Sequence, residues 1–365
     1  MNLDFISNNV LEEDFKEIAD SNFPFNKFRE KNFFISGSTG LVGSNLVKSL
    51  VYLNRYHDLN LKIYLHARNF KKINEIYGDL SKYPEMKVVL GDITSPYNSY
   101  ISSNLQIDYI FHAASVTTSQ MMVNNPVDTI KVSLEGTMQM LELAKDKQVE
   151  SFVYLSSMEV YGEFKNKETV YVSEDMLGFI NPLSLRSNYP ESKRMCENLC
   201  VAYNSQYGVP TKIARLSQTF GAGILPGENR VFAQFARSVL NQEDIILHTE
   251  GKSEGNYCYL SDCIRALYLI LSDGENATAY NVSNEANHIS IASMAKLVAE
   301  ELSNNSIKVV FDIPETNLYG YAVPSRFKLN TERLLNLGWK PKYDLVTSYK
   351  RMIKSMELSS NDGDS

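Results

Sequence analysis

Tyr189 and Lys193 stand four residues apart in Tyr189-Pro190-Glu191-Ser192-Lys193. On a helix this spacing leaves the two side chains about 40° from alignment and ~6 Å apart along the axis, so both reach one site. An ammonium beside a phenol stabilises the phenolate and lowers its pKa, making the tyrosine an acid and base usable near neutral pH. Upstream, Ser156-Ser157-Met158-Glu159 follows an apolar run of the strand type, Ser151 to Leu155. A hydroxyl at the carboxyl end of a strand lies where open α/β sheets bind ligands. The plainer reading is a serine that caps the next turn. Ser157 is therefore a candidate to grip a reacting oxygen. Glu159, two residues on, is the candidate carboxylate for moving a proton beside a transient carbonyl, or for merely orienting substrate.

Gly37, Gly40 and Gly43 are spaced as GxxGxxG in Gly37-Ser38-Thr39-Gly40-Leu41-Val42-Gly43. The apolar Phe33-Phe34-Ile35 precedes them, and Leu46, Val47, Leu50, Val51 and Leu53 follow at helical spacing. Strand, glycine turn and helix in that order let backbone approach a pyrophosphate and point helix amides at it. Thr39, Leu41 and Val42 belong to the same loop. The end of the second strand should then meet the adenosine ribose, where an acid commonly selects NAD. Residues 61–70 contain none, and Arg68 stands where a 2′-phosphate would lie. This favours NADP(H); the alternative is NAD(H), with Arg68 stacked or solvated.

The elements needed to hold these groups alternate along the chain. Apolar runs near 33–35, 61–65, 87–90, 107–111, 151–155 and 211–216 read as strands, with helical patterns between them. Repeated βα units imply an α/β fold: a doubly wound parallel sheet of Rossmann type. Residues 1–30 form an amino-terminal extension with a short amphipathic helix around Val10 to Phe15. Residues 31–216 form the dinucleotide-binding domain. Residues 217–356, more broken by Gly, Asn and Pro, form a smaller carboxyl-terminal substrate lobe, with the chain free to cross between lobes. Residues 357–365 are polar and expected to fray.

Composition narrows the classes. The 365 residues are 44% hydrophobic and 22% charged, which is ordinary globular composition. A net charge of −7 disfavours nucleic acid as a partner. No apolar run approaches the roughly 18 residues that would span a membrane. Acidic residues precede the first lysine, unlike a secretory or transit leader. Cys196, Cys200, Cys258 and Cys263 are too few for a disulfide framework and lack zinc-site spacing, so no metal is expected. A reducing cytoplasmic location is expected.

Taken together, the chain resembles an extended short-chain dehydrogenase/reductase of the nucleotide-sugar epimerase/dehydratase family, over roughly residues 32–342. The resemblance rests on Gly37 to Gly43, Gly91-Asp92-Ile93, His112-Ala113-Ala114-Ser115, Gly136-Thr137, Ser156 to Gly162, Tyr189 to Lys193, Arg215 to Gly221, and Leu337-Gly338-Trp339-Lys340-Pro341. It implies that Asp92 and Ile93 contact adenine and that Ala113, Ala114 and Ser115 line the cofactor. Ser157 and Tyr189 would grip the oxygen that gains or loses hydride, with Lys193 supporting and holding the nicotinamide ribose. Thr117, Ser157, Glu159 and Gln218 would meet the substrate, a nucleotide-sugar or related phosphorylated sugar. A homodimer is implied as well.

The departures from the family pattern are specific. Ser133 replaces an Asn three residues before Gly136-Thr137, and Gln218 replaces an Asn after the Arg215 strand. Gly255-Asn256 stands where many relatives carry an Arg-Asp pair whose Arg holds the substrate diphosphate; Arg230, Lys252 and Arg326 are the possible substitutes. Glu159 resembles the acid of dehydratases and UDP-glucuronate decarboxylases, while Met158 replaces the Asp acid of many dTDP-glucose dehydratases. The leading expectation is NAD(P)-dependent modification of a nucleotide-activated sugar through a keto intermediate, by epimerisation, dehydration or decarboxylation. The alternatives are an NADPH-dependent reductase of a keto sugar and, outside enzymes, a non-catalytic dinucleotide-binding regulator.

Overall fold

A computed structural model of the chain describes residues 8–116, 118–165, 168–225, 227–314 and 326–361. Seven strands form one sheet, parallel at every pairing. In chain order they are Asn32–Ser36, Lys62–Ala67, Met86–Leu90, Tyr109–His112, Ser151–Ser157, Thr211–Leu216 and Thr278–Val282. Their spatial order is 3-2-1-4-5-6-7. The order reverses between the first and fourth strands, and the crevice at that switch point is where such sheets take ligands.

Both faces of the sheet are covered, so the strands read as unbroken apolar runs rather than alternating ones. Successive side chains point to opposite faces. Phe33 and Ile35 enter one core with Leu46, Leu50, Leu267 and Leu271, from the helices Leu41–Tyr56 and Leu260–Asp273. Phe34, between them, enters the other with Met140, Leu141, Cys196 and Cys200, from Pro126–Lys147 and Asn188–Tyr207. A third core gathers Phe220, Phe232, Tyr257, Met294 and Tyr349 around a three-stranded sheet of Gln218–Phe220, Glu254–Tyr259 and Asn284–Ser290.

The chain crosses back after residue 217. Thr278–Val282 pairs with Thr211–Leu216 and closes the edge of the main sheet. The amino-terminal helix Asn9–Ala19 buries Val10, Phe15 and Ile18 in the first core. Asn8 caps it, accepting from the Val10 and Leu11 amides, while its own amide donates to the Ser355 carbonyl and hydroxyl. Asp14 accepts from Arg351 and from the Tyr259 hydroxyl in the same seam. The last helix, Leu345–Asn361, runs five residues into the tail expected to fray; residues 362–365 lie outside the described residues. No described helix is long and apolar enough to cross a membrane.

Candidate active site

The glycine loop is built as its spacing predicts. Gly37 follows the first strand with φ +68°, a backbone conformation that L side chains rarely adopt. A Cβ there would sit 2.5 Å from the Ala114 nitrogen, so the turn and the end of the fourth strand meet backbone to backbone. A Cβ on Gly43 would lie 2.2 Å from the Gly37 carbonyl, which lets the helix start tight against the turn. Ser44 is the first residue to bond back, to the Gly40 carbonyl at 2.8 Å. The amides of Leu41, Val42 and Gly43 therefore have no acceptor within their own helix. A cradle of backbone with forward-pointing amides fits a dinucleotide pyrophosphate.

The adenosine side has mixed character. Arg68 is exposed just past the second strand. Asp92 is exposed too, and its carboxylate accepts from the Thr94 amide at 2.9 Å and hydroxyl at 2.7 Å, which hold its pKa below the ordinary value. Ile93 is buried, and a Cβ on Gly136 would come within 3.1 Å of it, so the glycine lets the helix Pro126–Lys147 close on this corner. Ala113 and Ala114 line the switch-point crevice; the Ala113 amide donates to the Ser36 carbonyl at 3.1 Å. Ser115 continues from them and is half-buried.

The fifth strand delivers Ser157 to the same crevice. Ser156 turns the other way and donates to Glu197, which is paired with Arg215 at 2.7 Å in a buried network that fixes the strand end. Ser157 accepts from the Glu159 amide at 3.2 Å. It is also hydrogen-bonded to Tyr189, so the hydroxyl that caps the turn lies beside the phenol. Tyr189 and Lys193 lie buried on the helix Asn188–Tyr207. Lys193 donates to the Leu155 carbonyl at 2.8 Å, and its ammonium is 5.8 Å from the centre of the Tyr189 ring.

The electrostatics differ from the expectation that Lys193 would lower the Tyr189 pKa. Burial, and then the charge of Glu159, push Tyr189 above the ordinary phenol value; Ser157, Arg186 and Arg230 pull the other way. Lys193 is itself pushed down to about 8 by burial, with its ammonium turned to a carbonyl. Tyr189 is thus protonated in this pocket.

Glu159 sits half-buried on the turn after Ser157, and burial raises its pKa against the pull of Arg186. Arg186 Nη2 lies 3.3 and 3.0 Å from its two oxygens. Its guanidinium is 5.8 Å from the centre of the Tyr189 ring. Its Nη1 is buried with no hydrogen-bond partner among the described residues. Sequence reasoning missed Arg186. The available signal was an Arg three residues before Tyr189, in the 3-10 turn Leu185–Ser187 that leads into its helix.

Of the possible diphosphate ligands, Arg230 is the one whose charge is felt at Tyr189, and it pairs with Glu228 at 2.7 Å. Lys252 pairs with Glu250 on the surface. Arg326 leads into the strand Phe327–Leu329, and its carbonyl accepts from the Val170 amide at 3.2 Å. Asn256 is committed elsewhere, donating to the Phe327 carbonyl and accepting from the Leu329 amide, both at 2.9 Å. Gln218 opens its strand opposite Tyr257 and is half-buried. Ser133 spends its hydroxyl on the Thr129 carbonyl of its own helix, at 2.9 Å. Thr117 lies outside the described residues. All four cysteines are buried free thiols, and no group of metal-binding side chains occurs among the described residues.

The family model for the NAD-dependent epimerase/dehydratase family matches residues 33–283, from the first strand through the seventh. This chain belongs to that family. Membership makes it an extended short-chain dehydrogenase/reductase enzyme with NAD as its cofactor type. An NADP(H) preference, expected from Arg68, gains no support from the comparison. Among characterised relatives, UDP-glucuronic acid decarboxylase 3 of Arabidopsis thaliana is 29% identical over 342 residues, 92% of each chain. Among solved structures, an epimerase from Methanothermobacter thermautotrophicus superposes with a TM-score of 0.75 at 22% identity, over 96% of this chain and 98% of that one. A Bacillus cereus UDP-glucuronic acid 4-epimerase, solved with UDP-glucuronic acid and NAD, gives 0.71 at 19% identity, over 90% and 99%. Those two likenesses establish the shared fold.

Proposed function

We propose that this epimerase/dehydratase family member decarboxylates a nucleotide-activated uronic acid through a keto intermediate. The observation that carries this reading is Arg186: a guanidinium on Glu159, beside Tyr189, with a buried Nη1 left over for an incoming anion. The decarboxylase relatives support the same choice of substrate.

Loss of CO2 needs a carbonyl one carbon away from the carbon that bears the carboxylate. The hydroxyl on the neighbouring ring carbon must therefore be oxidised first. When bound, NAD+ would supply the hydride acceptor for that oxidation and the hydride donor for the final reduction. Gly37, Leu41 to Gly43, and the Ala113-Ala114 wall would hold it; Arg230 is the candidate for the substrate diphosphate. Tyr189 takes the hydroxyl proton while Ser157 donates to the same oxygen. The Tyr189 phenol would first release its own proton to solvent, a loss that the Lys193 ammonium and the positive charge of bound NAD+ would favour. Arg186 holds the carboxylate against the keto carbon. When CO2 departs, its bonding electrons form an enolate whose oxygen stays on Ser157 and Tyr189. Glu159, kept partly protonated by burial and by the substrate's added negative charge, returns a proton to the carbon.

A second reading follows from Arg68, which offers a cation where the 2′-phosphate of NADP would lie. In it the enzyme is an NADPH-consuming reductase of a keto sugar. Incubation with UDP-glucuronic acid and a trace of NAD separates the two. Decarboxylation gives a product lighter by CO2 with no net reduced nicotinamide; reductase chemistry gives no such product and consumes NADPH with a keto sugar.

The reading includes a homodimer. Val127, Ile130 and Met138 on Pro126–Lys147, and Met195 on Asn188–Tyr207, are exposed apolar side chains on two helices packed against each other. A face of this kind suits a second copy. A cytoplasmic setting suits four unpaired thiols.

A further inference from the structure

Beneath the catalytic pair, buried polar groups link the first strand to the catalytic helix. Ser36 Oγ lies 2.6 Å from His112 Nδ1, and His112 Nε2 lies 3.1 Å from Thr137 Oγ1. Thr137 Oγ1 is 3.3 Å from Cys196 Sγ, which is 3.2 Å from the Ser133 carbonyl. At the near end the Ala114 amide reaches Ser36 Oγ at 3.4 Å. Ser36, His112, Thr137 and Cys196 are each no more than 1% exposed, so water does not compete for these bonds.

Counting hydrogens fixes the direction of every bond. The Ser133 carbonyl can only accept, so the Cys196 thiol donates to it. That spends the thiol's one hydrogen, so Thr137 donates to the sulfur. Thr137 has none left, so the hydrogen between it and the imidazole sits on Nε2. Burial, then the charges of Lys193 and His66, push the His112 pKa down to about 3, so the ring is neutral. A neutral ring with hydrogen on Nε2 has a bare Nδ1, and Ser36 donates to it. Ser36 in turn accepts from Ala114.

The two ends of this chain are functional surfaces. Ala114 is the wall that closes on Gly37. Cys196 lies three residues beyond Lys193 on the same helix, and Ser133 is on the helix packed against it. A neutral His112 also keeps a second cation away from Lys193, already pressed toward its uncharged form.

We propose that His112, held as the Nε2–H tautomer by Thr137, is a positioning residue that registers the catalytic helix against the cofactor wall at Ala113-Ala114. Nitrogen NMR of the full wild-type chain reads the tautomer, with the His112 signals assigned by their loss in His112→Gln. The expected pattern is Nε2–H, without titration between about pH 5 and pH 8. Thr137→Val removes the acceptor at nearly constant volume. It should shift His112 to the Nδ1–H form and weaken NAD binding about tenfold, the size of one buried hydrogen bond left unmade. Thr137→Ser should restore both the tautomer and the affinity to within about twofold, which a general packing loss would not do. An Nδ1–H or doubly protonated His112 in the wild type overturns the proposal, and so does a Thr137→Val protein that binds NAD as tightly as wild type. Should Thr137→Val fail to fold, the wild-type tautomer decides alone.

Discussion

Arg186 grips Glu159 through one nitrogen, Nη2, at 3.3 and 3.0 Å from the two carboxylate oxygens, and leaves Nη1 without a partner among the described residues. Half a guanidinium thus holds Glu159, and in the proposed mechanism the other half would take the substrate carboxylate. Arg186→Ala should remove both functions. A charge-assisted hydrogen bond is worth about 1.5–3 kcal/mol, so KM for a carboxylated sugar should rise ~10–100-fold. Arg186 also lowers the Glu159 pKa, so its loss raises that pKa further; because Glu159 acts as a proton donor in the proposed mechanism, the descending limb set by its deprotonation moves to higher pH. Steady-state kinetics across pH, with substrates that carry and lack the carboxylate, measures both effects.

Much of this site was legible because its signals are local. The glycine loop and the Tyr189–Lys193 pair are each set by a few consecutive residues, and the strands around them are buried on both faces. Arg186 and Glu159 are 27 residues apart, and nothing in either segment announces the other. Asn256 looked like a failed diphosphate site, yet it serves the backbone of Phe327–Leu329, 71 residues away. The strand Thr278–Val282 joins the main sheet from beyond the expected boundary at residue 216, since pairing order is not written in periodicity. Tyr189 departed from expectation because burial and the nearby Glu159 charge, which spacing does not reveal, push its pKa up.

Lys193 is pushed down to about 8 by burial. A lowered amine pKa means the ammonium is present below that pH and lost above it. Turnover should therefore fall as pH rises through about 8, because the proposed mechanism relies on the ammonium to favour the Tyr189 phenolate once cofactor is bound. Lys193→Met should lose most activity at every pH and show no such limb. A wild-type profile flat to pH 10 would contradict the role given to this ammonium.

On the NADPH-dependent reading, Arg68→Ala should weaken NADP more than NAD. A lost phosphate pairing costs about 1.5–3 kcal/mol, whereas a stacking or packing role would weaken both cofactors equally. Calorimetric titration of both cofactors into both proteins distinguishes these outcomes.

Met138 is 44% exposed on the outer face of Pro126–Lys147. Placing a charge there should disrupt pairing of two copies without touching the pocket. Met138→Glu is expected to halve the solution mass measured by light scattering. A wild-type mass of one chain, or a mass unchanged by the substitution, would contradict the proposed pairing through this face.

The central claim is a closed redox cycle around a keto intermediate, and single-turnover nicotinamide absorbance tests it most directly. Enzyme loaded with NAD+ and mixed with UDP-glucuronic acid should show reduced nicotinamide rising and then returning to baseline, while the product loses the mass of CO2. Glu159→Gln should show the same rise without the return, because oxidation depends on Tyr189 and the later proton on Glu159. Product lighter by CO2 with no transient reduced nicotinamide, or a wild-type rise that never returns, would contradict the account.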